Sequence, residues 1–113
     1  MQKAKILRLH FCEADKYNGK PLYDAIVRKC FDMNIAGATV FRGLEGYGET
    51  AEIHRRHIGS KDQPVIVIVV DNEEHIAELI PVLESMMDTG LIAVSDVEVV
   101  RVQRNVPSHS DRQ

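Results

Sequence analysis

Apolar and polar residues alternate near the start of the chain. Between Lys5 and Phe11 every second position is apolar, which is the period-two pattern of a strand with one buried face. The pattern predicts a first strand over this segment. Residues 13–20 are polar and predict a loop, in which Asn18 and Gly19 tolerate left-handed backbone angles at low cost.

Runs of β-branched and apolar residues predict three further strands. Residues 38–41 form the first of these runs, and residues 65–70 form the longest. Because the run at 65–70 has no polar face, it predicts a central strand that is covered on both sides. Residues 91–94 and 97–102 predict a last extended stretch, with a break at residues 95–96.

Two segments carry apolar residues at helical spacing. Pro21 suits the first turn of a helix, because its missing N–H would have no partner there. The apolar positions that follow it are Leu22, Ala25, Ile26, Cys30 and Met33. Asp71 or Asn72 can cap a second helix, whose apolar stripe is Ile76, Leu79, Ile80, Leu83, Met86 and Met87. Pro81 predicts a kink within this helix, and Gly90 its end.

The order of the predicted elements is strand, helix, strand, long loop, strand, helix, strand. This order is that of an α+β fold, the ferredoxin-like βαββαβ two-layer sandwich, with two helices on one face of an antiparallel four-stranded sheet. We expect a single domain over residues 1–102, a long loop over residues 43–63 and a polar tail over residues 103–113 that frays. The second face of the sheet would be partly apolar, so we expect self-association to cover it.

Composition and charge narrow the function classes. The chain has 113 residues, 14 Lys plus Arg and 17 Asp plus Glu, for a net charge of −3. It therefore lacks the broad basic surface that nucleic-acid binding requires. No apolar run is long enough to cross a bilayer and no secretory signal is recognisable, so we expect a cytoplasmic protein without membrane insertion. Cys12 and Cys30 have no C-x-x-C spacing and are expected to be free thiols.

Several short motifs together resemble a known family. They are Gly19-Lys20-Pro21-Leu22-Tyr23, Gly37-Ala38-Thr39-Val40, Arg42-Gly43, Gly46-Tyr47-Gly48 and Ile53-His54. Over nearly the whole chain they are similar to the family catalogued as domain of unknown function 190, which is itself regarded as similar to the PII signalling proteins. The segment Gly37-x-Thr39-Val40 followed by Gly46-Tyr47-Gly48 resembles the PII strand that runs into the T-loop. The resemblance implies a trimeric regulator whose long loop reaches partner proteins and helps to close a nucleotide site between subunits.

The resemblance also implies a set of site residues. The ligand-binding set is Thr39, Arg42, Gly46, Tyr47, Gly48, Gly90, Arg101 and Arg104, and the partner-contact set is Tyr47, Arg55 and Arg56. The implied effector is a small molecule, with a nucleotide as the candidate. Members of the resembling family are often encoded near fluoride-export channels, which implies a membrane transporter as one protein target. The chain departs from PII at Glu49 and Thr50, where PII has arginine and glutamine, so a different ligand stays open.

Two alternative interpretations of the motifs stay open. The glycines in Gly43-x-x-Gly46-x-Gly48 form either a backbone cradle for an anion or a tight turn. The segment His54-Arg55-Arg56-His57, with His10 and Cys12 elsewhere, contains metal-ligand types, and the CutA ion-tolerance proteins have the same overall fold. A CutA-like divalent-metal module is therefore the alternative function. No activated nucleophile or acid/base pair stands out, so we expect no enzyme and no catalytic residue.

Overall fold

The computed structural model describes residues 1–47, 54–55 and 62–104. In chain order its elements are β1 (Gln2–Cys12), β2 (Lys16–Tyr17), β3 (Lys20–Pro21), α1 (Leu22–Asp32), β4 (Ala38–Arg42), β5 (Glu45–Gly46), β6 (His54–Arg55), β7 (Pro64–Asp71), α2 (Glu73–Met86) and β8 (Leu91–Val99). The main sheet has four strands in the order β4-β7-β1-β8, and every neighbouring pair is antiparallel. The predicted α+β ferredoxin-like fold is confirmed.

The core lies between the sheet and the two helices. The strands contribute Leu7, Leu9, Phe11, Val65, Val67 and Val69, and the helices contribute Leu22, Ile26, Cys30, Ile76, Leu79, Leu83 and Met86. The buried strand residues occupy alternate positions, and the buried helix residues follow three- and four-residue spacing. Each element therefore turns one apolar side to the same layer, as the periodicity predicts.

The prediction that residues 65–70 are covered on both sides is wrong within the chain. Along β7 the residues facing the helices are buried, whereas Ile66, Ile68 and Val70 between them are only half-buried. Both helices pack on one face of the sheet, so nothing in the described chain covers the second face. We call this second face the open face. Its partly apolar character agrees with the sequence prediction.

The last strand has no break at residues 95–96. Ser95 pairs with Ile6 and Asp96 with Lys5 in the ladder between β1 and β8. The Lys5 ammonium donates to the Asp96 carboxylate at 2.5 Å, and this hydrogen bond lowers the pKa of the Asp96 carboxyl below its usual value. The polar pair is satisfied across the ladder, so the strand continues through it and ends at Val99.

The segment at residues 13–20 also differs from its prediction. It contains β2 and β3, which pair as a short antiparallel hairpin instead of forming an irregular loop. Asn18 and Gly19 form the turn, with φ of 51° and 80°. The predicted left-handed backbone angles are therefore confirmed, and a paired Asn-Gly hairpin is the structure that such angles favour.

Both helices begin close to the predicted residues. Asn72 caps α2 by accepting from the His75 N–H at 2.8 Å. The neighbouring Asp71 carboxylate instead accepts from the Ala36 N–H at 2.9 Å and contacts His75, so it links the start of α2 to the turn before β4. The second helix is continuous through Pro81 and ends at Met86, four residues before Gly90.

Candidate functional site

The two ends of the long loop meet directly after β4 and before β7. The Gly43 N–H donates to the Pro64 carbonyl at 2.6 Å. A Cβ on Gly43 would lie 2.9 Å from Pro64 Cγ, and a Cβ on Gly46 would lie 3.5 Å from the same atom. Gly43 is therefore required by close packing on the proline. We call Arg42, Gly43, Gly46, Gln63 and Pro64 the loop neck.

The predicted ligand residue Arg42 is paired with Glu13. Its Nε donates to Glu13 Oε1 at 3.0 Å, and a second guanidinium nitrogen donates to Oε2. This hydrogen bonding, with the charge of Glu13, raises the pKa of Arg42. The Arg42 side chain is 50% exposed and that of Glu13 only 12%, so a largely buried carboxylate holds a half-exposed cation. The sequence analysis missed Glu13.

Thr39 and Arg42 lie on opposite faces of β4. Thr39 pairs with Ile68 and belongs to the open face, whereas Arg42 pairs with Val65 and belongs to the helix-covered face. The side chains of a strand alternate between faces, and these two residues are three positions apart. The structure therefore does not bring the two together within one chain.

Gly90 precedes β8 in a conformation that other residues rarely adopt. Its φ is +132°, and a Cβ there would lie 2.6 Å from the His10 carbonyl oxygen and 2.8 Å from Met87 Cε. A cleft of about 470 Å³ opens beside it, and its lining includes Ile80 and Ile92. Glu84 and Asp88 also line this cleft. Glycine is therefore required at position 90, where the backbone packs closely on His10 and Met87 beside this cleft.

Arg101 and Arg104 are exposed residues beyond the end of β8. Among the described residues neither forms an ion pair. Gly90 precedes β8 at the end of the sheet where Arg42 also lies, but the two arginines follow the other end, since Val99 pairs with Gln2. Over the nine residues of β8 the two ends are about 30 Å apart.

The remaining predicted residues lie on the long loop. Tyr47 is 76% exposed, which suits a contact residue. Arg55 belongs to β6, which pairs with β5 in a short hairpin, Glu45 opposite Arg55 and Gly46 opposite His54. Gly48, Arg56 and His57 lie outside the described residues.

The open face has an apolar centre with polar members near it. Phe41 is 51% exposed, and the half-buried apolar residues on the same face are Ile6, Ile66, Ile68 and Val70. By the strand register, Arg8 and His10 share this face. An apolar area shared by three strands is typical of an interaction surface.

The described part of the chain forms no cluster of metal ligands that would support the CutA-like alternative. Residues 1–47 and 62–104 contain no group of three histidine, cysteine or acidic side chains placed to hold an ion. Cys30 is in the core, where burial raises the pKa of its thiol to about 11, and no disulfide joins it to Cys12. None of the described helices has the length and apolarity needed to span a membrane.

The chain is similar to solved structures of two kinds. It matches a nitrogen regulatory PII-like protein, CPII of Thiomonas intermedia, solved with ADP, AMP and bicarbonate, at 20% identity and a TM-score of 0.65, over 88% of this chain and 90% of that one. It also matches the divalent ion tolerance protein CutA1 of Ehrlichia chaffeensis, at 12% identity and a TM-score of 0.58, over 90% and 86%. These likenesses agree with the PII-like fold.

Sequence similarity is stronger within one family. A UPF0166 protein of Aquifex aeolicus is 35% identical over 100 residues, which cover 87% of this chain and 94% of that protein. The family model described as "Uncharacterized ACR", DUF190, matches residues 4–99. The chain therefore belongs to the DUF190 family and has the α+β fold of the PII-like and CutA proteins.

Proposed function

We propose that this protein is a non-enzymatic PII-like regulator that binds a small anionic effector between copies of the chain. The candidate effector is an adenine nucleotide, the assembly is a homotrimer, and the long loop at residues 43–63 contacts a protein target. The trimer and the loop's role come from the PII resemblance. The effector class is also supported by CPII, a protein of the same fold solved with ADP and AMP.

The main support for the proposal is that the candidate site residues lie at separate edges and ends of the sheet. Arg42 lies at the β4 edge of the sheet and Gly90 at the β8 edge, with β7 and β1 between them. Three strand spacings separate the edges by about 14 Å, and Arg101 and Arg104 follow the far end of β8. A compact ligand can contact all these parts only if different copies supply them, which supports a site between subunits.

The open face supports association of the chain with itself. It carries apolar residues on three strands, with Arg8, His10 and Thr39 among them, and the two helices leave it uncovered. Burial of such area is the main favourable term in subunit association.

The charges suggest how a nucleotide would be oriented. Arginine forks bind phosphate oxygens well, so Arg42, Arg101 and Arg104 suit the phosphate groups. Glu84 and Asp88 beside the Gly90 cleft would repel a phosphate, so this cleft suits an uncharged base or sugar. Tyr47, exposed on the loop, suits the contact with a protein target.

The first test measures both the oligomeric state and the binding of nucleotides. Light scattering after size exclusion should give three chains per particle, and ATP, ADP or AMP should raise the melting temperature by mass action, with calorimetry as confirmation. Arg101→Ala should weaken binding, and the control Arg28→Ala should not, because Arg28 pairs with Asp24 on α1. A monomer, or a response only to divalent metals, would contradict the proposal; the second result favours the metal module.

A further inference from the structure

The Glu13–Arg42 pair lies where three segments of the chain meet. Glu13 directly follows β1, and its N–H donates to the Gln63 carbonyl at 2.7 Å. Arg42 ends β4, and the next residue, Gly43, donates to the Pro64 carbonyl at 2.6 Å. One ion pair therefore connects the end of β1 with both ends of the long loop.

We propose that Glu13 is an internal competitor for the ligand's anionic group at Arg42, and that its displacement loosens the loop neck. The inference rests on the proposed function, because it assumes that an anion binds at Arg42. It names Glu13, which lies outside the predicted site, as the residue that regulates access to that site. It also links occupancy of the site to the loop that would contact the protein target.

The geometry makes the competition direct. Glu13 engages two guanidinium nitrogens of Arg42, and a phosphate would use the same planar fork of donors. Arg42 is half-exposed, so a ligand can approach the guanidinium from solvent. The ligand must therefore displace the Glu13 carboxylate, which is already bound to the Arg42 guanidinium.

The burial of Glu13 determines which ligands can compete. Its side chain is only 12% exposed, so a displaced carboxylate must move to water or find another partner, and leaving it unpaired in place is costly. A ligand with several negative charges recovers more of this cost than one with few. The pair should therefore favour nucleoside di- and triphosphates over monophosphates.

The binding test compares Glu13→Gln with a matched control. Asp24→Asn removes one carboxylate from the exposed Asp24–Arg28 pair of α1, so both variants change the net charge by the same amount. By calorimetry, Glu13→Gln should bind ADP and AMP about five- to tenfold more tightly than the unmodified protein. The preference for ADP over AMP should shrink, and Asp24→Asn should change neither. Unchanged or weakened binding in Glu13→Gln overturns the competition.

A second variant guards against a folding defect. Glu13→Asp keeps the charge but shortens the side chain by one methylene, so it cannot hold both guanidinium nitrogens in the same way. It should shift affinity in the same direction as Glu13→Gln. If both variants unfold at room temperature, Glu13 acts as a stability residue and the competition is wrong.

The neck is tested without any nucleotide. Hydrogen exchange of the Gly43 amide, measured by NMR, should be faster in Glu13→Gln than in Asp24→Asn or the unmodified protein. If the unmodified protein binds no nucleotide, the proposed function and the competition are both wrong. The exchange rate of the Gly43 amide then shows only whether Glu13 stabilises the loop neck. If it binds nucleotide but Glu13→Gln neither binds more tightly nor exchanges faster, the inference fails and the proposed function stands.

Discussion

The two faces of the sheet differ in burial although their residues are of the same kind. On β7 the helix-covered face carries Val67 and Val69, which are fully buried. The open face of the same strand carries Ile66 and Ile68, which are at least as apolar yet half-buried. The helices account for the whole difference. The helix-covered face therefore forms the core of the chain, and the open face is the surface that the proposed self-association would bury.

The largest expected effect is on the helix-covered face. Leu79→Ala deletes a fully buried side chain of α2, and the lost burial and the cavity should lower the free energy of unfolding by about 2–5 kcal/mol. Urea denaturation measures this change. Ala77 is exposed on the same helix, and Ala77→Ser serves as the control. This surface substitution should lower the free energy of unfolding by less than about 1 kcal/mol. Equal losses in the two variants would contradict the assignment of the core.

A charge on the open face should break association and leave the fold intact. Ile68→Arg places a second guanidinium beside that of Arg8, the cross-strand neighbour of Ile68. A subunit contact would bury these two like charges together, so the dissociation constant of the assembly should rise about a hundredfold or more. Light scattering gives the assembly size and circular dichroism the fold. Ala77→Arg on α2 adds the same charge and should keep the assembly. An Ile68→Arg protein of unchanged size would show that another surface associates.

Gly90 tests the close packing at the β8 edge of the sheet, where the chain passes from α2 into β8. Gly90→Ala adds a methyl group at a positive φ and against the His10 carbonyl oxygen, so we expect a loss of about 1–3 kcal/mol in stability. Gly37→Ala meets no atom within 4 Å and should be nearly neutral. Thermal denaturation compares the two. The prediction is wrong if Gly90→Ala is as stable as Gly37→Ala.

The smallest effect is a pH dependence of the covered face. Burial raises the pKa of the Cys30 thiol from its usual value of 9.0 to about 11. Between these values the unfolded chain has lost the proton that the folded chain keeps. The contribution to stability is therefore full below pH about 9 and falls as the pH rises toward 11. Denaturation at several pH values should give a shallower decline in Cys30→Ala; identical slopes would show that the thiol is not the cause.

Periodicity was sufficient for β1 and the two helices, whereas the unbroken apolar run of β7 did not show which of its sides is buried. The alternation in β1 and the three- and four-residue spacing in the helices predicted both the element types and the residues that are buried. The same rule failed at β8, because Ser95 and Asp96 look like a break when only neighbours in sequence are considered. Their partners, Ile6 and Lys5, lie on β1 about 90 residues earlier and satisfy them across the ladder.

The candidate site was less predictable than the core. Arg42 and Gly90 came from a family resemblance, and the structure gives Gly90 a clear steric reason. No local pattern pointed to Glu13, because it lies 29 residues from Arg42 in the sequence. One signal was available in principle, since residue 13 directly follows a strand that pairs with the strand beginning at Pro64.

The sequence by itself determined the type and order of the two helices and of the four strands of the main sheet, and one apolar side of β1 and of each helix, because backbone preference and residue spacing act over a few neighbouring positions. Only the tertiary structure decided which face of the sheet is covered and that Glu13 holds Arg42. Those outcomes depend on strand register and on packing between segments far apart in the chain. Burial and charge pairing are properties of three-dimensional neighbours, and the chain order does not contain them directly.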